Sequence, residues 1–374
     1  MARLKSGQRY ALFWCYSLAI TLVPTFSFPV ETATSADDVA APETKPIIAR
    51  IETFGLRSVS QQAVIKASEL EVGDNLANIA GDEINVAEVI RRIEAVPGVH
   101  KASFAAIYGM LLKGDKLGMV VYLGIVEPGI QQLEYKQAPS GAATLPSEIL
   151  AANSRMQQAF AKAAASGLFG EDRTMGHSLS EDSDLRAAQQ AFVPLAQKHW
   201  SRLVDVLHTS HDGKQRAIAA QVIAYAPDKL QVVHELVAAM SDSNSTVRNN
   251  STRALSIIFE IAASHPEVSL NPPIELVRNA VNLLDSVDWS DRNKAVGLLL
   301  NLDGSQVVLR QVRKNSIPSL IEMSNWQTVH GSMAFMLLGR LADLTHEESQ
   351  QVWNDNKQAS VFARVHSLTT SSRE

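Results

Sequence analysis

Apolar positions along the chain fall into two regimes. From 47 to 129, short β-rich runs flank two helical stripes. Ile47 to Leu56 is rich in β-branched residues, with Ile47, Ile51 and Phe54 as predicted inward positions and Gly55 closing the run. Ser60 is placed to cap a short helix through Ala67, because its hydroxyl can accept an orphan backbone N–H. Leu70 to Leu76 is an apolar-flanked turn around Gly73-Asp74. Asn85 is placed to cap a second helix, Val86 to Ala95, on which Val86, Val89, Ile90 and Ile93 make one buried stripe. Pro97-Gly98 ends it. Val99 to Tyr108 and Lys116 to Glu127 then read as strands joined near Gly114-Asp115. The predicted order is β-α-α-β-β.

Residues 130–199 read as a bridge. Gln137 to Pro146 has the Ala, Gly, Ser and Pro content of a linker, and Ser147 to Ala165 is an alanine-rich helix. Gly167 to Asp184 is a polar loop. A helix then starts near Leu185 and carries Phe192, Leu195 and Trp200, with Pro194 placed to bend or end it.

From residue 200 to 366 the chain repeats itself. Apolar first helices end at Leu207, Met240, Leu284 and Met323, spaced 33, 44 and 39 residues apart. Arg216, Arg248 and Arg292 follow these ends by 9, 8 and 8 residues, and His330 takes the place after 7. Each unit predicts a helix, a short polar turn and a second helix. In the second unit, Ser245 is placed to cap a helix whose Val247, Ser251, Leu255 and Ile258 share a face. A single helix pair cannot bury such a face, whereas stacked pairs form a continuous core. Thr345-His346-Glu347-Glu348 is a capping box for a closing helix, and the tail from 367 is expected to fray.

The first module resembles a POTRA domain, the polypeptide-transport-associated module. The resemblance rests on the strand ending at Gly55, Val59-Ser60, Leu70 with Gly73-Asp74, Ala95-Val96-Pro97-Gly98-Val99, Ala102, and Val121 with Val126-Glu127. It implies a periplasmic binding module that takes partners by β-augmentation. In the family the second strand is the usual edge, which puts partner binding at Ala102, Phe104 and Ala106. The chain holds one such module and no barrel-like segments after it, so a role in inserting barrels is not expected. The C-terminal half resembles HEAT repeats of the PBS type, most closely in Asp242, Val247-Arg248 and Ala254-Leu255. That implies an α-solenoid that binds other macromolecules on one face. Arg248 and Arg292 are expected to be structural, pairing with turn carboxylates such as Asp242 and Asp288 or with nearby carbonyls. The fold class expected is α+β and multidomain.

The N-terminus changes the setting. Arg3, Lys5 and Arg9 precede an uncharged, mostly apolar run from Ala11 to Val23, the pattern of an export signal. Cleavage after Ala36 fits, with Ser27 as another place, and retention as an uncleaved anchor is the alternative. Residues 37–46 read as a tether. Removing 1–36 takes away three bases and one acid, so the net charge moves from −5 to −7. This acidity argues against nucleic acid held on a broad basic surface. The single cysteine, Cys15, lies inside the signal and excludes a disulfide framework or a multi-cysteine metal site.

Candidate chemistry is thin. Glu171, Asp172, Arg173, His177, Ser178 and Ser180 crowd the 167–184 loop without nucleophile-elbow or triad spacing, and read as solvated. His208 and His211 are three apart beside Asp212, with His199 and His234 elsewhere, and lack a His-Glu-x-x-His pattern. No cofactor is expected. The expectation is a non-enzymatic, exported periplasmic or cell-envelope adaptor for protein partners. The alternatives are a membrane-anchored subunit of an envelope assembly, and an enzyme with its site in the 167–184 loop.

Overall fold

In the computed structural model, which describes residues 47–75, 86–110, 117–168, 170–265 and 270–371, the chain divides into two units. Of the described residues, one unit comprises those from 47 to 132 together with 287–289; the other comprises those of 133–286 and from 290 to 371. The predicted signal and tether, Asn85 and the Gly114-Asp115 turn lie outside the described residues. The fold is mixed α+β, with a small sheet near the N-terminus and a helical C-terminal part. Among the described residues no helix is long and apolar enough to cross a membrane.

The sheet unit runs β1 (Ile48–Phe54), α1 (Gln61–Ser68), α2 (Val86–Glu94), β2 (Lys101–Met110) and β3 (Leu117–Val126). The strand order is β1-β3-β2, with β1 parallel and β2 antiparallel to β3. The central strand is an almost unbroken apolar run, and Val120, Val121, Tyr122 and Leu123 are fully buried, as a strand covered on both faces requires. On the helix side, Ile48, Val64, Leu70, Val89, Ile93, Val121 and Ile125 form the core, with Val86 and Ile90 packed against it. The α2 stripe is therefore as predicted. The first strand is not: Ile47 is 53% exposed and Ile48 is buried in its place. A register irregularity between Ile48 and Arg50 shifts the inward set there, and a shift of one residue exchanges the faces of a strand. Ser60 sits at the N-cap of α1 but makes no side-chain capping bond. Gly55 is required: its φ is +82°, and a Cβ there would run into the Ile125 carbonyl oxygen.

Glu127 ties the two ends of this unit together. Its carboxylate accepts the N–H groups of Arg57 (2.6 Å), Ser58 (2.8 Å) and Val59 (2.9 Å), as well as the Ser58 hydroxyl. Burial pushes this carboxyl up, but the bonds from Ser58, Val59 and Arg57 outweigh it and hold the pKa at about 2, against an ordinary 4.5. Its contribution to stability is therefore complete above about 4.5 and is lost as pH falls toward 2. A carboxyl NMR titration of the full chain should place Glu127 near 2, and Glu127→Gln should remove that part of the acid sensitivity. A midpoint near 4.5 would show that these bonds do not form.

The helical unit begins with α3 (Ser147–Ala165), which has the predicted bounds. A two-residue hairpin pair follows, β4 (Glu171–Asp172) with β5 (Leu179–Ser180). The helix expected from Leu185 is two helices, α4 (Ser183–Gln190) and α5 (Phe192–Lys198), which meet at Ala191. Pro194 lies in the first turn of α5, where backbone N–H groups have no intrahelical acceptor to lose.

The repeated region is α6 (Trp200–Thr209), α7 (Gly213–Ile223), α8 (Lys229–Ala239), α9 (Ser245–Ser264), α10 (Ile274–Leu283), α11 (Trp289–Asn301), α12 (Gln306–Asn315), α13 (Ile317–Ser324) and α14 (Val329–Leu341). Within pairs, α6 packs on α7, α8 on α9 and α13 on α14; between pairs, α7 packs on α9. Asp212 and Asp228 cap α7 and α8. The cap of α9 is Asn244, which accepts from the N–H groups of Thr246 and Val247; Ser245 is the first helical residue instead. The Thr345–Glu348 capping box is present on α15 (His346–Asn354), and a further helix, α16 (Gln358–Ser371), spans the tail expected to fray.

Candidate functional site

The three residues predicted to bind a partner lie on β2, which is an edge strand. Ala102 and Ala106 are buried in the core of the sheet unit and Phe104 packs against it, so their side chains face inward. Their backbones do the opposite. The Ala102 N–H donates to the Glu94 carboxylate (3.0 Å) rather than to β3. In an antiparallel ladder every second residue turns its N–H and C=O to the same side, so Phe104 and Ala106 present theirs along the outer edge with Ala102. The two edges of the sheet differ. At β1, Ile48 accepts from Gly73 and donates to Asp74, and the strand carries the Arg50–Glu52 ion pair. Beyond Lys101, β2 has neither a charge nor a proline across its ten residues. Charges and prolines are the usual protection of an edge against added strands.

The arginines of the repeats form a ladder that takes up the nearby carbonyls, one of the two pairings expected, together with acids further along the chain. Arg248 does not use the Asp242 carboxylate. Its guanidinium donates to the carbonyls of Asp242 (2.9 Å) and Ser243, and grips the Asp291 carboxylate with Nη2 at 2.8 Å. Asp242 serves Arg216 instead, in a two-pronged pair at 2.9 and 2.8 Å, while Arg216 also binds the Ser210 carbonyl. Arg292 binds the Ser286 carbonyl and Glu322. Each arginine thus satisfies carbonyls of its own turn and an acid of the next unit. His330, in the fourth unit, is buried and held neutral: burial, then the Lys294 charge, bring its pKa down to about 3.

The segment whose composition predicts a linker is laid along these turns. Tyr135 stacks on the Arg248 guanidinium (3.8 Å to the ring centroid), and its hydroxyl meets Ser286 and Asp291. The Lys136 N–H donates to the Ser241 carbonyl, Gly141 bridges to Ser210, and the Leu145 N–H donates to Gln215. Residues 135–145 therefore run across the turns of three successive units.

Most of the residues singled out in the 167–184 loop are buried rather than solvated, while Asp172 is half-buried and pairs with Arg186. Glu171 has a side chain only 7% exposed, and Arg173, His177, Ser178 and Ser180 are buried. Glu171 accepts from Arg173 (2.7 Å) and from Arg253 of α9, and Arg173 also reaches Glu260 (3.0 Å). Burial raises the Glu171 carboxyl, yet the Arg253 and Arg173 charges hold it at about 2. Tyr225 lies against His177 (4.8 Å between rings) and donates to the Ser178 carbonyl at 2.9 Å. Burial, then the Lys229 charge, lower His177 to about 4. Lys229 itself falls to about 8 through burial, with its ammonium donating to the Ala224 carbonyl. The partners of this loop lie some 80 residues away, which is why its own composition reads as surface. The remaining signal is faint: Arg253 and Glu260 are charges set into the otherwise mostly apolar second half of α9.

A cleft adjoins this cluster. Arg173, Arg253 and Lys294, with Ile257, Gly297 and Met333, line a small space whose exposed surface is almost wholly apolar and which is partly open to solvent. Lys294 is only 7% exposed; burial first, then the Arg253 charge, lower its pKa to about 7.

The histidines considered for metal binding are separated. His208 meets Glu235, His211 binds the Gly141 carbonyl, and His199 pairs with Glu148. His234 also reaches Glu235, while Asp212 is spent on its helix cap. Among the described residues no group of three or more His, Cys, Asp or Glu is placed to hold a metal. No family model matches the chain, and no curated protein matches it.

Proposed function

We propose that the chain is a non-enzymatic adaptor of the cell envelope, built from a POTRA-like sheet module and HEAT-like helical repeats, which captures protein partners. The observation that carries this reading is β2, a ten-residue edge strand unprotected by charge or proline after Lys101. An extended partner segment pairs with its outward N–H and C=O groups, so the main chain supplies affinity and flanking side chains supply selection. The repeats give a second surface. Since residues 135–145 already lie over the turns of three units, that surface is a helical face rather than the row of turns. Export rests on the basic and apolar pattern of residues 3–23. The engagement of Glu171 and His177 in ion pairs and aromatic packing argues for a structural rather than a catalytic loop.

Ala106→Pro removes an outward donor without touching the ladder to β3. In cells, the crosslinks made by a photoreactive residue at position 101 should disappear in this variant while its circular dichroism stays native. Ala105→Pro removes an inward donor and should unfold the sheet. Unchanged crosslinks from a folded Ala106→Pro chain would end the β-augmentation reading.

A further inference from the structure

One end of the β2 edge is closed by a side chain. His100 donates its N–H to the Val126 carbonyl (2.8 Å), and Lys101 pairs with Val126, so the backbone of both faces β3. Ala102 is the first residue of the strand whose N–H turns outward, and the Glu94 carboxylate accepts it. The carboxylate oxygen, 3.0 Å from the nitrogen, stands where the carbonyl of an added strand would accept. Glu94 is exposed and ends α2. A carboxylate at a helix C-terminus is unfavourable against the helix dipole, so the helix supplies no reason for an acid there. The strand edge does. Ala102, Ala105, Ala106 and Gly109 make much of β2 small, and side chains this small leave pairing register weakly specified. An edge that admits a strand in one register therefore needs a marker, and Glu94 is placed to be one.

We infer that Glu94 is a register stop for the added strand: the segment pairs from Phe104 onward, and its hydrogen bonds end short of the Ala102 N–H. The inference rests on the β-augmentation reading and adds a positioning residue to it. A carbonyl brought to Ala102 would have to displace a charge-assisted bond, whereas Phe104 and Ala106 turn their N–H groups to the incoming chain. The partner that fits is an extended segment whose pairing begins opposite Phe104.

The test uses the full chain in cells with the photoreactive residue at position 101, next to the closed end. Glu94→Ala frees the Ala102 N–H for the partner, and one added hydrogen bond should raise the crosslink yield below saturation about fivefold. Glu94→Gln keeps an acceptor oxygen and should stay close to wild type. Ala106→Pro should abolish the crosslinks in all three chains. In the purified chain, hydrogen exchange corrected for intrinsic rates should show the Ala102 amide protected several-fold over those of Phe104 and Ala106. Glu94→Ala should erase that difference. Crosslinks that vanish with Ala106→Pro but do not rise with Glu94→Ala overturn the stop and leave β-augmentation standing. So does an equal rise with Glu94→Gln, or an Ala102 amide that exchanges as fast as its two outward neighbours. Crosslinks indifferent to Ala106→Pro, or absent from the wild type, overturn both.

Discussion

Replacing Arg248 with methionine should destabilise the chain by about 3–5 kcal/mol, the cost of breaking a buried ion pair from one side. Arg248 and Asp291 are 1% and 0% exposed in their side chains. Removing the guanidinium leaves the Asp291 carboxylate in the interior without its cation, held by the hydroxyls of Ser286 and Tyr135. It also strips donors from the carbonyls of Asp242 and Ser243, which end the preceding turn, and leaves the Tyr135 ring without its cation. At about 2–4 °C per kcal/mol for a unit of this size, Tm should fall by roughly 6–20 °C. Lysine cannot replace the planar fork and should recover only part of the loss. Arg292→Met should cost less, because its partner Glu322 is 31% exposed and keeps water. The variant Arg248→Met with Asp291→Leu should be more stable than Arg248→Met alone, since no orphaned carboxylate remains. A loss below about 1 kcal/mol for Arg248→Met, measured by denaturant unfolding, would show that the ladder is incidental to stability.

That ladder shows how far local pattern reaches. The arginine positions were legible because each follows an apolar helix end at a nearly constant interval. Their acids were not. For Arg248 the turn carboxylate nearest in sequence, Asp242, is of the same chemical type as Asp291 of the next unit, and only stacking decides between them. The same holds for caps, where Asn244 and Ser245 are adjacent and equally able to accept. In β1, placing Ile47 on the same face as Ile51 assumes an unbroken pleat, and a register shift near Ile48 breaks it. By contrast, α2, α3 and the Thr345 capping box depend on contacts within a few residues, and these appear as predicted. For the candidate binding strand, sequence supplied the strand and resemblance supplied its edge. The role of Ala102, Phe104 and Ala106 changes in kind: side chains that alternate with the pleat point to the core, while the backbone groups of the same residues point to the edge. The charged loop was the least legible part. Glu171 and Arg253 are 82 residues apart, and a carboxylate that is paired at such a distance looks, in sequence, like one in water.

Glu171→Gln should be comparably damaging, and its acid dependence separates it from a simple packing defect. Glutamine keeps the shape of the side chain but not its charge. Arg253 and Arg173 then lose the carboxylate they share, while Arg253 keeps its contact with Ser178 and Arg173 its pair with Glu260. A loss of about 3–5 kcal/mol at pH 7 is expected. Because the Glu171 carboxyl lies near 2 in the folded chain against an ordinary 4.5, its contribution is complete above about 4.5 and disappears as pH falls toward 2. The stability gap between wild type and Glu171→Gln should therefore be constant near neutrality and narrow through that acid window. The neighbouring lysine gives the sharper measurement. Lys294→Met lowers the positive charge that Glu171→Gln leaves exposed to itself, so the two substitutions together should cost less than the sum of their separate effects, by 0.5 kcal/mol or more. Strict additivity would mean that Glu171 and Lys294 do not feel each other's charge.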